Sequence, residues 1–508
     1  MNILKDPLAP NTAGNLVLVF CAAQFIFWIL VPGFTHQNPP LDVVEAFTWG
    51  ETLQWGYHKH PPLQAALLEL ALAITGNPSW SAYILSQIAL ALTYTAVWLL
   101  GRRILGEAGA GIGVLLLFGI YYFQFPTPEF NPNILQLPLW SWSAYFLHCA
   151  WKDDEQRSWY ALGIVTALNM YTKYSAGILL IPILLFLLTD EQGRKQLRTF
   201  TPWVALGISF LLFVPHLYWL VSNDFISFSY AVGRTKSTGE LIDHIYYPTK
   251  FLLAQVAYHG GFLLAIAILF GWGTRNINGE STRSPVNAST RDRKFLLIIG
   301  MGPLIIALLI SAIFGWKFKD MWGTPMFTLS GLLVVSFWNP TPTKQFGQRF
   351  IAVIASLAIL SLGSYAILQF FGPFIRDKPG KGHFPSRVAA QTLGQEWQVR
   401  YNASPRIFVG DAWVAGNLAL YSEPRASVLI DGNLKYSPWV SMEEIEQYGA
   451  IIVWQKGRGR QPHLASGYVD PDIVERGQLS IPWQTKADIS PLVLEWVMIP
   501  PGTVLTLE

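Results

Sequence analysis

Long apolar runs separated by short polar breaks dominate the first three quarters of the chain. A membrane span needs about 20 predominantly apolar residues. Eleven segments are predicted to meet that need or come near it: 15–34, 80–101, 108–124, 132–151, 159–175, 176–189, 200–221, 251–273, 295–315, 321–338 and 350–372. The stretch Pro62–Gly76 is apolar but shorter, and is expected to lie at the interface or re-enter the bilayer. The first run lacks a small-residue cleavage site after it, so it is expected to remain as an anchor. Beyond residue 372 the pattern changes. Helix-like stretches (Arg387–Arg400, Gly416–Tyr421, Met442–Tyr448) alternate with short apolar strands (Arg406–Val409, Ala426–Ile430, Ala450–Trp454), which predicts a small α/β domain.

Composition sharpens this division. The 508 residues are 52% hydrophobic and 13% charged. Residues 373–508 hold 27 charged side chains in 136 positions, against 40 in the preceding 372. The expected architecture is therefore a polytopic α-helical membrane protein, residues 1–372, with a long first outer loop at 35–79. A soluble α/β domain follows at 373–508. A net charge of +3 is too small for a nucleic-acid footprint. Two cysteines, Cys21 and Cys149, both in apolar runs, allow no disulfide framework or cysteine zinc site.

Loop charge gives the expected orientation. One set of short loops carries fourteen Lys/Arg and the alternate set seven. The positive-inside rule then puts the N-terminus in the cytoplasm, and the loops 35–79 and 222–250 and the C-terminal domain outside. Eight of the nine histidines fall on that outer side, His148 being the exception. The polar stretch Asn276–Arg293 is the one linker-like segment and is expected inside.

The first outer loop concentrates candidate chemistry. Asp42 and Glu45 are three apart, a spacing that sets both carboxylates on one face of a helix. They suit a general base. A divalent cation (magnesium or manganese), if one is used, would sit on the same pair. Fifteen residues after Asp42 comes Tyr57-His58-Lys59-His60-Pro61-Pro62, a basic cluster suited to a phosphate. Taken singly, a loop acid is ordinarily solvated, and Asp42 is also a candidate helix N-cap. Further polar residues stand at expected outer helix ends: Glu129 and Asn133, Lys173 and Tyr174, His216, and Lys317 with Lys319. Lys173 alone would read as a snorkelling lysine. A polytopic transporter or flippase is the rival class, but transporters favour midplane charges, broken helices and internal repeats. Here the charges crowd one rim and no repeat is visible.

The order of these residues resembles a known family. Asp-x-x-Glu in the first loop, then Gly-Tyr-x-x-His-Pro-Pro-Leu, then Lys-Tyr at an outer helix end, is similar to the GT-C membrane glycosyltransferases. Within that family the chain resembles the branch of lipopolysaccharide-core transferases, related to aminoarabinose transferase and protein mannosyltransferases. The resemblance covers roughly residues 15–340. It implies transfer of a sugar from a polyprenyl-phosphate donor to a lipid or glycan acceptor at the outer face of a bacterial inner membrane. It implies Asp42 as the essential acid with Glu45 as its companion, Tyr57 and His60 at the donor phosphate, and Lys173 as the basic residue of Lys-Tyr. Two positions depart from the pattern: Lys59 stands where an acid is usual, and Asn133 where an aspartate is usual.

Overall fold

The computed structural model describes residues 5–9, 12–273, 284–458 and 474–504. The first part of the predicted linker (276–283) and His463 lie outside the described residues. In chain order the helices are α1 Ala13–Thr35, α2 Leu41–Gly50, α3 Leu63–Thr75, α4 Pro78–Leu116, α5 Pro132–Asp153, α6 Gln156–Thr172, α7 Ala176–Thr189, α8 Glu191–Leu197, α9 Thr201–Ser222 and α10 Ile226–Thr235. Next come α11 Asp243–Tyr258, α12 Gly260–Gly273, α13 Thr290–Phe314, α14 Ser330–Trp338, α15 Lys344–Arg376, α16 Ser386–Tyr401, α17 Val414–Leu420 and α18 Met442–Tyr448. Five strands follow the same order: β1 Ile407–Gly410, β2 Ser427–Ile430, β3 Ala450–Gln455, β4 Glu475–Ile481 and β5 Leu492–Ile499.

Each of the eleven predicted spans falls on helix, with corrections at the breaks. The spans 80–101 and 108–124 lie largely within one helical run, broken at Gly106, whose φ of 72° only glycine adopts cheaply. The span 251–273 bends by 56° between α11 and α12, and 321–338 bends by 55° between a 3₁₀ segment, Asp320–Phe327, and α14. The fifth span stops at Thr172, so Lys173 caps α6 rather than continuing it. Among the described residues five helices are long and apolar enough to cross a membrane, or eight when each bent pair counts as one span. Many of their large apolar side chains face outward, Leu211 and Leu360 for example, as lipid-facing helices require.

The chain divides into two compact units. One comprises Met1–Leu30, Lys59–Leu63 and Ile84–Ser364; the other Val31–His58, Gln64–Tyr83 and Tyr365–Glu508. Most of the first loop thus groups with the C-terminal region.

In the first unit, small residues let helices touch. A Cβ added to Gly331 would meet the Gly113 carbonyl oxygen at 1.9 Å, so α4 and α14 are in backbone contact. A buried polar network ties other helices at one end. Asp292 at the start of α13 accepts from Lys152 at 2.7 and 2.8 Å and pairs with His148 at 3.1 Å, both on α5. Asp190 accepts from the Trp151 indole at 2.7 Å and pairs with Arg291 at 2.8 Å.

In the second unit the sheet order is β2-β1-β3-β5-β4. β1 runs parallel to both β2 and β3, while β5 is antiparallel to β3 and β4. Ile407, Val409, Leu429, Ile452, Val497 and Ile499 form one buried face. Strands β4 and β5 were not among the predicted elements. β4 is a polar edge strand with little alternation to read, and its Gly477 lies under the Trp496 ring of β5.

Candidate active site

In the second unit the candidate base stands on α2. The Asp42 and Glu45 pair is helical, as the spacing requires, and both residues are half-buried. Asp42 is not an N-cap: Pro40 holds that position and no side chain caps it. The acid instead lies in the first turn, where the helix dipole stabilises a carboxylate.

Both ends of α2 are fixed by the C-terminal region. At the N-terminal side Asn38 is fully buried and accepts from the Ser386 hydroxyl, which also lies 3.0 Å from Oδ1 of Asn417 on α17. Gly416 of α17 packs on α2, where a Cβ would meet Thr48 Oγ1 at 2.5 Å. Gln64 donates to the Asp42 carbonyl at 3.1 Å. At the C-terminal side Arg425 donates to the Phe47 carbonyl, one of the last four that a helix leaves unsatisfied. The same guanidinium grips Glu69 of α3 in bidentate fashion, at 2.8 and 2.9 Å.

Tyr57 turns into its own loop. It is 2% exposed and stacks on Trp49 at 5.8 Å. Its hydroxyl donates to the Thr52 carbonyl at 3.2 Å and accepts from the Gln54 amide at 3.3 Å. Burial pushes the phenol up to about 12. His58, also buried, stacks on Tyr436 at 4.6 Å. These two residues shape the loop, and the basic side chains after them carry the charge.

In the first unit those basic side chains meet others from distant segments. Tyr230 on α10 is the meeting point. Lys59 Nζ lies 5.7 Å from its ring centroid and the Arg234 guanidinium 5.9 Å, and the His60 ring stands nearly perpendicular to it with centroids 6.4 Å apart. Lys317 donates its amide to the Thr235 carbonyl at 2.9 Å, which joins the loop after α13 to the end of α10. Lys319 follows. Its ammonium is held below the usual lysine range, first by partial burial and then by the charges of Lys317, Arg234 and Lys250, with Asp320 opposing. Four cations against one acid leave a net mutual repulsion among the cations, and an anion relieves it.

Lys173 stands on the adjoining wall. Its Nζ donates to Oδ1 of Asn133 at 2.7 Å and lies 5.0 Å over the ring of Trp322. Trp322 is linked by its amide to the Lys319 carbonyl at 2.9 Å. Asn133 thus positions a lysine. Asn131 caps α5, accepting from the amides of Asn133 and Ile134 at 3.0 and 3.2 Å. Tyr174 and His216 brace the wall from behind: the Tyr174 hydroxyl lies 2.9 Å from His216 Nε2 and 2.6 Å from Ser227 Oγ on α10. Glu129 sits in a turn before α5, its amide on the Pro126 carbonyl.

Tyr230, Arg234, Lys250 and Trp322 were not singled out in the sequence. The signal for two of them was there: Tyr230 and Arg234 are four apart, on one face of a helix inside the loop 222–250. Among the described residues no three or more His, Cys, Asp or Glu side chains converge as a metal site.

Comparison with known proteins shows what the chain is similar to. Residues 59–219 match the family model of dolichyl-phosphate-mannose-protein mannosyltransferase. The chain is 24% identical over 217 residues to the lipopolysaccharide core galacturonosyltransferase RgtA of Rhizobium johnstonii. That match spans 42% of this chain and 42% of the relative's length. The crystal structures of ArnT from Cupriavidus metallidurans, apo and bound to undecaprenyl phosphate, superpose with TM-scores of 0.61 at 13% identity. Each covers 95% of this chain and 98% of that one. The chain is a polytopic membrane protein with the fold of the GT-C glycosyltransferases.

Proposed function

We propose that the protein is a glycosyltransferase that moves a sugar from a polyprenyl-phosphate donor to a lipid or glycan acceptor at the outer face of the bacterial inner membrane. The observation that carries this reading is the cationic cluster of Lys59, His60, Arg234, Lys317 and Lys319 around and beside Tyr230, with Lys173 on the next wall. The liganded ArnT structure, which holds undecaprenyl phosphate, supports a polyprenyl phosphate as the anion. The name of the rhizobial relative supports a lipopolysaccharide acceptor.

In this reading the acceptor hydroxyl oxygen attacks the anomeric carbon. The carbon–oxygen bond to phosphate breaks and its electron pair leaves with the phosphate. One displacement inverts the anomeric centre. Phosphate is a good leaving group, so no strong acid is required. Cations stabilise the charge that develops on it. Asp42 takes the proton from the acceptor hydroxyl, and Glu45 orients Asp42. If a divalent cation takes part, this carboxylate pair would hold it, and it would add positive charge to the same step.

The test is transfer from synthetic polyprenyl-phosphate sugars in detergent, with His60→Ala, Lys173→Met and, as a loop-charge control, Lys236→Ala. We expect His60→Ala to lose the most, Lys173→Met an intermediate amount and Lys236→Ala little. No transfer from any donor of this class, alongside solute flux that the same substitutions change, would establish a transporter instead. Orientation is tested separately: a reporter active only outside the cytoplasm should be active after Phe371 and silent within Asn276–Arg293.

A further inference from the structure

The second unit contains a cleft that the phosphate chemistry does not use. It has a volume of about 340 Å³, within the roughly 300–1,000 Å³ of small-molecule sites, and is partly open to solvent. Its place in the fold is telling. From β1 the chain goes through α17 to β2 on one side, and from β2 through α18 to β3 on the other side of β1. The strand order therefore reverses between β1 and β3, which run parallel. Ligands in open α/β sheets bind outside the carboxyl ends of the strands at such a switch point. The cleft is there: Asp411 immediately follows β1, while Gln455 ends β3 and Arg458 closes the turn after it. Gly457, with φ of 72°, makes that turn, and the Arg458 amide bonds to the Gln455 carbonyl at 3.1 Å.

The lining chemistry identifies the ligand class. Two half-buried indoles, Trp413 and Trp483, each pack edge-to-face with Phe384, with ring centroids 5.3 and 5.9 Å from it. Flat aromatic faces pack against the C–H faces of sugar rings. Gln455 and Asp411 supply planar polar groups for hydroxyls. Asp411 Oδ1 already accepts from the amides of Trp413 and Val414 at 2.8 and 2.9 Å, which fixes the carboxylate in place. Lys381, whose Nζ lies 5.4 Å over the Trp413 ring, and the exposed Arg458 add two positive charges against one negative. A neutral sugar needs no such excess, whereas a carboxylate or phosphate on the saccharide does. Leu41 forms part of the wall, and Asp42 is the next residue.

We propose that this cleft binds an anionic saccharide of the acceptor, carboxylated or phosphorylated, and so presents the acceptor to Asp42. The proposal rests on the glycosyltransferase reading for the word acceptor, but the binding itself does not depend on it. The experiment is calorimetric titration of the full-length protein in nanodiscs with trigalacturonate, with a phosphorylated core oligosaccharide, and with neutral maltotriose. We expect one or both anionic probes to bind and maltotriose to bind at least tenfold more weakly. Arg458→Ala and Trp483→Ala should each weaken the anionic probe by about tenfold or more, as loss of an Arg or Trp anchor does. In the transfer assay both should raise the acceptor KM while kcat and the donor KM stay put, a split that mere misfolding would not produce. Arg458 is exposed, so its variant tests the idea even where a tryptophan variant melts early. Equal affinity for maltotriose, no binding of either anionic probe, or unchanged affinity in Arg458→Ala overturns the proposal. Binding that the variants lose, in a protein that transfers no sugar, would keep the cleft and reject the transferase.

Discussion

Lys173 donates a 2.7 Å hydrogen bond to Asn133 while its ammonium sits 5.0 Å over the ring of Trp322. Three segments distant in sequence hold one charge in one place. A lysine that merely snorkels to an interface has no need of such partners. Lys173→Met keeps the stem packing and removes the charge. If that charge faces the leaving phosphate, transfer should fall by about 10²–10³, the usual cost of one preorganised stabilising contact. Asn133→Ala should cost less, about tenfold, because the lysine remains but is less well held. Steady-state transfer rates for the two variants check this, and a near-normal Lys173→Met would return the residue to a packing role.

Asp42 and Glu45 share a face of α2, but their expected roles differ. Asp42→Asn keeps size and loses the proton acceptor, so turnover should disappear while the fold persists. Glu45→Gln should retain measurable turnover if Glu45 only orients its neighbour. Equal loss in both, together with inhibition by a chelator, would mean that the pair holds a divalent cation. Transfer assays with and without chelator, on protein whose circular dichroism matches wild type, separate these cases.

The apolar runs were legible because a bilayer demands about 20 apolar residues per span whatever the tertiary context. The helix under Asp42 and Glu45 was legible because three-residue spacing has one physical meaning on a helix. What stayed hidden depends on contacts between remote segments. Arg425 and Glu69 are 356 residues apart, and nothing local marks either one. Tyr230 became a focus for Lys59, His60 and Arg234 only because α10 brings it there. Asn133 stands where an aspartate was expected, and its role as a holder of Lys173 depends on where α6 stops. The sequence pattern put Tyr57 beside the phosphate; in the fold its hydroxyl closes its own loop.

Arg425 should matter for stability as much as any core side chain. Its guanidinium serves both Glu69 carboxylate oxygens and the Phe47 carbonyl at the end of α2. Arg425→Ala leaves a largely buried carboxylate and a helix carbonyl without this partner, at a cost of about 1–3 kcal/mol, reduced because both side chains are partly solvent-exposed. Glu69→Gln should cost less, since an amide oxygen still accepts. Faster limited proteolysis within the first loop in Arg425→Ala than in Glu69→Gln is the expected result. Identical rates would mean that Arg425 acts through packing on Phe47 alone.

His36 should make the second unit sensitive to acid. Its ring lies between two tyrosine hydroxyls, Tyr83 at 3.0 Å from Nδ1 and Tyr365 at 3.0 Å from Nε2. Burial lowers its pKa from 6.5 to about 4, a hydrogen bond with Gln369 opposes the shift, and the nearby His383 adds to it. The folded state therefore prefers the neutral ring. Above pH 6.5 neither state is protonated and the shift costs nothing. As pH falls from 6.5 toward 4 the unfolded state takes up the proton first, so stability drops, by up to about 1.4 kcal/mol per pH unit. Below about 4 both states are protonated and the loss levels off at roughly 3 kcal/mol. Hydrogen exchange of residues 31–38, corrected for its intrinsic pH dependence, should show protection falling across that window. His36→Gln keeps hydrogen-bonding groups between the tyrosines and removes the titration, so its protection should be flatter over the same range. An unchanged slope in that variant would assign the acid sensitivity to other groups.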